Sequence, residues 1–201
     1  MTDTSRPRQP ENLIVDTDGY LKMIDMGLAK KCRDRTFTIC GTPEYMAPEL
    51  IRGKGHDKAV DLWALGVLLF EMLVGETPFL AADDMEIYTK ICTTSPNYDI
   101  PGFPPDAADL IARLLHAKPA KRLGNMVNGY ADVMQHPFFT SVDFDWEALA
   151  NKTMEPPFRP ELASPDDSSY FPEFADEREG TTDPHLLAGR SDDDTGWAAF
   201  F

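Results

Sequence analysis

The feature that most constrains the fold is an unusually apolar run between residues 60 and 74. Its sequence is VDLWALGVLLFEMLV, in which only Asp61, Gly66 and Glu71 interrupt the apolar side chains. A helix needs about 20 apolar residues to cross a bilayer, and this run is shorter. It therefore predicts a helix buried at the centre of a folded domain, whose two carboxylates are either paired or functional.

Weaker patterns predict the elements around this helix. Two short β-like runs, Leu13 to Val15 and Tyr20 to Ile24, flank a turn signal at residues 16–19 and predict a hairpin. Apolar residues at helical spacing predict further helices at 84–93, 105–117 and 130–136. The predicted fold class is mainly α with a small β-hairpin.

The acidity of the chain is uneven. The net charge is −15, but residues 1–140 carry 19 acidic and 15 basic side chains, whereas residues 141–201 carry 15 and 4. Such a charge argues against binding to nucleic acid or anionic membranes. The 3 cysteines form neither a disulfide framework nor a metal-finger spacing, and the N-terminus has no signal peptide. We therefore expect no secretion, no membrane span and a cytoplasmic location.

The acidic segment is rich in Pro, Ser and Asp, which disfavours a packed core of its own. It nevertheless carries several aromatic residues, among them Phe171 and Trp197. Aromatic side chains in a solvated segment suggest an extended strap that docks on a globular body. A disordered acidic tail with incidental aromatics is the alternative.

Two oxygen-bearing side chains lie at the open end of the predicted hairpin. Asn12 precedes its first strand, and Asp25 follows its second. An amide oxygen and a carboxylate suit Mg²⁺, which also uses waters and substrate phosphates as ligands. Either residue alone is more often a turn residue than a metal ligand.

The longest informative string runs from Arg35 to Glu49 and reads RTFTICGTPEYMAPE. It resembles the activation segment of protein kinases, and of the AGC group of Ser/Thr kinases in particular. The resemblance extends from Pro10 to the last residue through AVDLWALG, KRLGN and HPFF. Within the group, TMEPP and Gly196-Trp197 look most like cGMP-dependent protein kinases, with the cAMP-dependent catalytic subunit second.

The resemblance implies a kinase large (C-terminal) lobe followed by an AGC-type tail. Its limits would be an atypical N-terminal segment at 1–9, a partial kinase domain with the activation segment at 10–139, and the tail at 140–201. Such kinases use ATP and Mg²⁺ to phosphorylate Ser or Thr.

Site residues are implied by position. Asn12 and Asp25, the latter in the Asp25-Met26-Gly27 element, would hold two Mg²⁺ ions on the ATP phosphates. Thr38 matches the activation-loop phosphosite, with Arg6 and Lys30 as basic partners of its phosphate.

Other positions would support the activation segment. Thr42 matches the threonine that contacts the catalytic aspartate, and Asp61 matches an acceptor of backbone N–H bonds from the catalytic loop. Glu49 and Arg122 match a buried ion pair that holds the end of the segment. Gly27 completes the metal-binding element.

A peptide-binding surface is implied as well. Glu11 and Glu71 match carboxylates that read an arginine just before the phosphoacceptor, for which a guanidinium offers a fork of donors. Ile39, Pro43 and Met46 match a wall that accepts an apolar residue after it. The expected partners are proteins with basic residues before Ser or Thr.

The tail aromatics would contact the small lobe. Phe171 resembles the tail aromatic that lies beside adenine. Trp197, Phe200 and Phe201 resemble the terminal motif that docks in a groove of the small lobe.

The sequence also departs from the family pattern. The base aspartate should lie five residues before Asn12, where Pro7 stands, and no glycine-rich loop or β-strand lysine is present. We therefore expect this chain alone to be inactive. One explanation is a truncated kinase whose missing part includes a small lobe and a cyclic-nucleotide-binding regulatory region or subunit. Another is a non-catalytic pseudokinase or substrate-docking module, and a third is an acidic interaction domain with accidental matches.

Overall fold

The computed structural model describes residues 12–24, 35–37, 41–164 and 166–171. In this part of the chain the fold is mostly helical with one two-stranded antiparallel sheet, which confirms the predicted fold class. The chain divides into two compact units, Met1–Pro160 and Glu161–Phe201. The predicted domain limits stay a prediction.

The hairpin forms at the predicted place. Strands β1 (Leu13–Val15) and β2 (Leu21–Met23) pair in antiparallel register, with Leu13 opposite Met23. The turn closes because the Gly19 N–H donates to the Asp16 carbonyl at 2.8 Å, and Gly19 adopts a φ of 83°, a conformation that glycine accepts without strain. Both strands leave large apolar side chains exposed, Leu21 and Met23 most of all.

The predicted central helix is α2 (Ala59–Val74), and it ends at Gly75 in the left-handed conformation. Its buried residues follow a spacing of three and four and include Trp63, Val67 and Phe70. The predicted burial of this helix does not extend to its last turn, where Met72 and Leu73 are 58% and 46% exposed. In the last turn of α2, no described element packs on the side that faces away from the core.

Helix α2 lies between two hydrophobic clusters. It packs closely against α4 (Pro105–Leu114), which is three residues shorter than the predicted helix. The helix ends before Leu115, whose ψ of 27° is not helical, and the Arg113 carbonyl accepts the Leu123 N–H at 3.1 Å instead of an N–H from a further helical turn. A 3-10 turn follows at Pro119–Lys121. Full burial of each large apolar side chain in such a cluster contributes about 1.5–3 kcal/mol. One cluster contains Trp63, Val67, Phe70, Phe79, Ile87, Ile91 and Ile111, and the other contains Leu62, Leu110, Leu114, Leu123 and Val133.

The segment before α2 contains two short elements. A 3-10 helix at Pro43–Tyr45 leads into α1 (Pro48–Ile51). Both contact α3 (Asp84–Thr93), which has the predicted bounds and an Asp83 side chain capping its first turn. The 43–51 segment therefore packs against the helical body through α3.

The end of the first unit contains three short helices. These are α5 (Ala131–Met134), α6 (Pro137–Thr140) and α7 (Trp146–Ala150). The predicted helix at 130–136 is shorter because Pro137, which lacks an N–H, begins a new helix. His136 caps that helix: its Nδ1 accepts the Phe138 N–H at 3.2 Å, while its Nε2 lies 3.0 Å from Asp109.

The described part of the second unit is a short loop organised by Asp167. Its carboxylate accepts N–H groups from Ala163 at 2.8 Å and from Ser169 at 2.9 Å. These hydrogen bonds lower the pKa of Asp167. Among the described residues of the whole chain, no helix has the length and apolar character that crossing a membrane requires.

Candidate functional site

The end of the segment at residues 43–51 is anchored by a buried ion pair. Glu49 in α1 is 6% exposed and Arg122 is fully buried. The guanidinium donates from Nη1 and Nη2 to the two carboxylate oxygens of Glu49 at 2.7 and 2.9 Å. The structure thus brings together the two residues that the resemblance pairs, in the bidentate geometry that arginine favours.

Arg122 has further partners besides Glu49. Its Nη1 also donates to the Ala59 carbonyl at 2.6 Å, and its Nε donates to the His116 carbonyl at 3.2 Å. The guanidinium lies 5.2 Å from the ring centre of Trp63. These contacts satisfy a charge that would otherwise be costly to bury. They tie α1, the start of α2 and the 116–122 loop to one side chain.

A second polar contact links the 3-10 helix to α2. The Tyr45 hydroxyl donates to the carboxylate of Glu71, a residue predicted to read a substrate arginine. Burial, followed by this hydrogen bond, raises the pKa of Tyr45 well above its usual range, so the phenol remains a donor. Tyr45 lies inside the kinase-like string, but no spacing rule predicts that its hydroxyl meets position 71.

Two of the three residues of the predicted apolar wall, Pro43 and Met46, are among the described residues. Pro43 opens the 3-10 helix and is half-buried, while Met46 ends it and is only 7% exposed. Met46 therefore offers little surface to a ligand in this structure. Thr42 is exposed, and its carbonyl accepts the Tyr45 N–H at 3.0 Å. Its hydroxyl makes no capping bond to the helix.

Asp61 lies in the first turn of α2 and is exposed. Desolvation by neighbouring protein atoms nevertheless raises the pKa of its carboxyl, and the nearby His56 partly opposes this shift. The carboxylate has no hydrogen-bond partner among the residues that the structure describes. Its predicted partners, the backbone N–H groups of the catalytic loop, lie outside those residues.

The hairpin places Asn12 at its open end. The Asn12 carbonyl accepts the N–H of Ile24 at 2.9 Å, which closes this end of the hairpin. The described residues contain no group of three or more His, Cys, Asp or Glu side chains that could hold a metal. Mg²⁺ usually takes only one or two protein ligands beside substrate phosphates, so an exposed amide at this position fits such a site.

Several predicted site residues lie outside the described residues. The predictions for them are neither supported nor opposed by the structure. Phe171 is described, belongs to the second unit and is 60% exposed. The residues outside the described ranges are Arg6, Pro7, Glu11, Asp25, Gly27, Lys30, Thr38, Ile39, Trp197, Phe200 and Phe201.

Comparison with known proteins gives consistent matches. Residues 9–139 match the family described as "Protein kinase domain". The chain is 48% identical over 179 residues to the cAMP-dependent protein kinase catalytic subunit of Dictyostelium discoideum, covering 89% of this chain and 27% of that protein. It is 46% identical over 180 residues to the human cAMP-dependent protein kinase catalytic subunit PRKX, covering 89% and 49%.

The similar proteins also include cGMP-dependent protein kinases. The mouse cGMP-dependent protein kinase 2 is 44% identical over 176 residues, covering 86% of this chain and 23% of that protein. The chain therefore spans between about a quarter and a half of the length of these relatives.

Proposed function

Because this chain belongs to the protein kinase family, we propose that it supplies the large lobe and tail of an AGC-group Ser/Thr kinase. The complete enzyme would transfer the γ-phosphoryl group of ATP to Ser or Thr in basic peptides. The observation that carries this proposal is the carboxylate of Glu71, oriented by the Tyr45 hydroxyl beside the 43–46 turn. A carboxylate held in a fixed orientation is suited to bind the guanidinium of a substrate arginine.

The roles of the individual residues follow from this proposal. Asn12 and Asp25 would hold Mg²⁺, which when bound offsets the charge of the ATP phosphates. Glu11 and Glu71 would bind the arginine, while Ile39 and Pro43 would contact the residue after the phosphoacceptor. Phosphorylated Thr38 would be held by Arg6 and Lys30, and the Glu49–Arg122 pair would keep the segment in place.

Peptide binding tests this proposal without requiring turnover. A fluorescent serine peptide with arginines before the serine should bind the chain, and Glu71→Gln should weaken binding by roughly ten-fold because a charged hydrogen-bond acceptor is lost. Glu147→Gln, which changes an exposed carboxylate on α7, is the matched control. Equal affinity for a peptide whose arginines are replaced by glutamine would contradict the proposal.

We also propose that the 201-residue chain has no kinase activity by itself, since Pro7 occupies the base position and cannot accept a proton. Incubation with ATP, Mg²⁺ and the serine peptide should give no phosphopeptide. Turnover that Asp25→Ala abolishes would show that the chain is active and overturn this part of the proposal.

The presence of proline at position 7 keeps a second candidate open, a non-catalytic docking module. Reading the transcript upstream of Met1 separates the two. An in-frame glycine-rich loop and catalytic aspartate favour the truncated kinase, whereas a stop codon favours the module. Relatives named for cAMP and cGMP support a cyclic-nucleotide-binding region or subunit as partner in the first case. The cytoplasmic location stays a prediction.

A further inference from the structure

The turn of the hairpin is held by a segment that follows it by more than 130 residues. Segment 152–158 runs from Lys152 to Phe158 and belongs to the same compact unit. The Tyr20 hydroxyl donates to the Met154 carbonyl at 2.6 Å. The Lys152 ammonium lies 2.6 Å from the Asp18 carboxylate and 5.2 Å from the ring centre of Tyr20.

The backbone approach is equally close on the other side of the turn. A Cβ at Gly19 would stand 2.6 Å from the Phe158 carbonyl oxygen and 2.7 Å from the Cβ of Pro156. Only glycine leaves room for this contact, in addition to accepting the φ of 83°. Segment 152–158 thus contacts the turn through a hydrogen bond, an ion pair and van der Waals packing.

Lys152 holds an unusual backbone conformation to make its contacts. It follows the last residues of α7 with a φ of 54°, at the position where a helix usually ends in glycine. A lysine there is strained, whereas glycine would not be. Its side chain makes both contacts to the turn, which gives a reason for a lysine at this position.

The hairpin has little else to orient it. Its strands pack mainly on each other and make no extensive contact with any helix in the described part of the chain. An isolated two-stranded hairpin is marginally stable in water. The open end with Asn12 lies about 13 Å from the turn, at the usual rise per strand residue. A tilt of the hairpin about its turn would therefore move Asn12 and the following end of β2 together.

We propose that segment 152–158 positions the metal-binding end of the hairpin, with Tyr20 and Lys152 as the positioning residues. This rests on the proposed function, in which Asn12 and Asp25 hold Mg²⁺. The segment acts at the turn, and the hairpin transmits its orientation to Asn12.

Manganese titration of the full chain at a fixed ATP concentration tests the proposal, because the site also uses substrate phosphates as ligands. Mn²⁺ should broaden the NMR signal of the Asn12 side-chain amide, and Asn12→Ala should remove that signal. Lys152→Gly and Tyr20→Phe should each raise the half-saturating Mn²⁺ concentration at least about three-fold, as expected when support of a metal ligand is lost. Lys152→Arg should restore native behaviour.

The design separates positioning from stability. Lys152→Gly relieves backbone strain, so its thermal midpoint should not fall, yet exchange of the Ile24 amide proton with solvent should be at least about three-fold faster. Lys58→Met and Tyr130→Phe are matched controls, because Lys58 lies 5.9 Å over the Tyr130 ring, away from the hairpin. Neither control should change Mn²⁺ affinity or Ile24 exchange.

Two results would overturn the inference in distinguishable ways. If Lys152→Gly and Tyr20→Phe leave the half-saturating Mn²⁺ concentration unchanged while the native chain shows saturable broadening at Asn12, the metal site stands and the positioning role is wrong. If the native chain shows no broadening at Asn12, the metal site of the proposed function is wrong, and the inference falls with it.

Discussion

Glu49 and Arg122 are 73 residues apart in the chain and form a buried, bidentate ion pair that involves α1. The guanidinium also donates hydrogen bonds to the backbone carbonyls of Ala59 and His116. One arginine therefore connects three parts of the helical body beneath the 43–51 segment, which carries the proposed peptide-binding residues.

Replacing one member of this pair should be severe. Arg122→Met removes the cation and leaves the Glu49 carboxylate buried without its partner, which should lower the free energy of unfolding by about 3–5 kcal/mol. Urea denaturation followed by circular dichroism measures this loss. The double variant with Glu49→Gln should cost less than the two single changes summed, because no unpaired charge remains.

An exposed pair provides the control for that measurement. Arg113 and Asp109 lie one turn apart on α4 at 2.9 Å, with both side chains substantially exposed. Arg113→Met should change the free energy of unfolding by no more than about 1 kcal/mol. A similar loss in both variants would mean that burial is not what makes the Glu49–Arg122 pair important.

Tyr45→Phe should impair arginine recognition while leaving the fold intact. The variant keeps the ring but removes the hydroxyl that donates to Glu71. We expect affinity for the arginine-containing serine peptide to fall about three- to ten-fold, since a charged acceptor loses a donor. Fluorescence anisotropy measures this, with the glutamine-substituted peptide as reference. An unchanged affinity would indicate that Tyr45 does not orient Glu71 for binding.

Gly66→Ala should destabilise the core although alanine is the better helix former. A Cβ at Gly66 would lie 2.9 Å from Cδ2 of Leu115 and 3.0 Å from Cβ of Leu114. The steric cost of overpacking is about 1–3 kcal/mol, against a propensity gain of up to about 1 kcal/mol. Thermal unfolding should show a lower midpoint. A higher midpoint would mean that α2 and α4 separate without penalty.

Asp61→Asn separates two roles of this carboxylate by pH. Desolvation raises the pKa of Asp61, so ionisation of this carboxyl destabilises the folded state. The free energy of unfolding is therefore unaffected by Asp61 below the ordinary pKa of about 3.8, and it falls as the pH rises through the raised pKa. Asp61→Asn should therefore raise the thermal midpoint near neutral pH, and this gain should vanish towards about pH 3.5. Destabilisation at neutral pH would instead indicate the predicted bonds from the catalytic loop.

Much of the fold could be predicted because its signals are local. The apolar run at 60–74 and the turn residues at 16–19 identify α2 and the hairpin almost at their observed bounds. The short helices α1, α6 and α7 contain only four or five residues, too few to display a helical period. Their helical conformation depends on capping and on packing against the body.

The candidate site divides in the same way. The family resemblance was enough to indicate Glu49, Arg122 and Glu71, because it rests on residue identity and order, which are properties of the chain. The Tyr45–Glu71 contact and the Lys152–Asp18 contact join elements distant in sequence. The sequence by itself determined that the hairpin and the longer helices α2 and α3 form and which charged groups they carry. Tertiary packing alone decided which groups meet, because a contact between elements depends on the position and orientation of both.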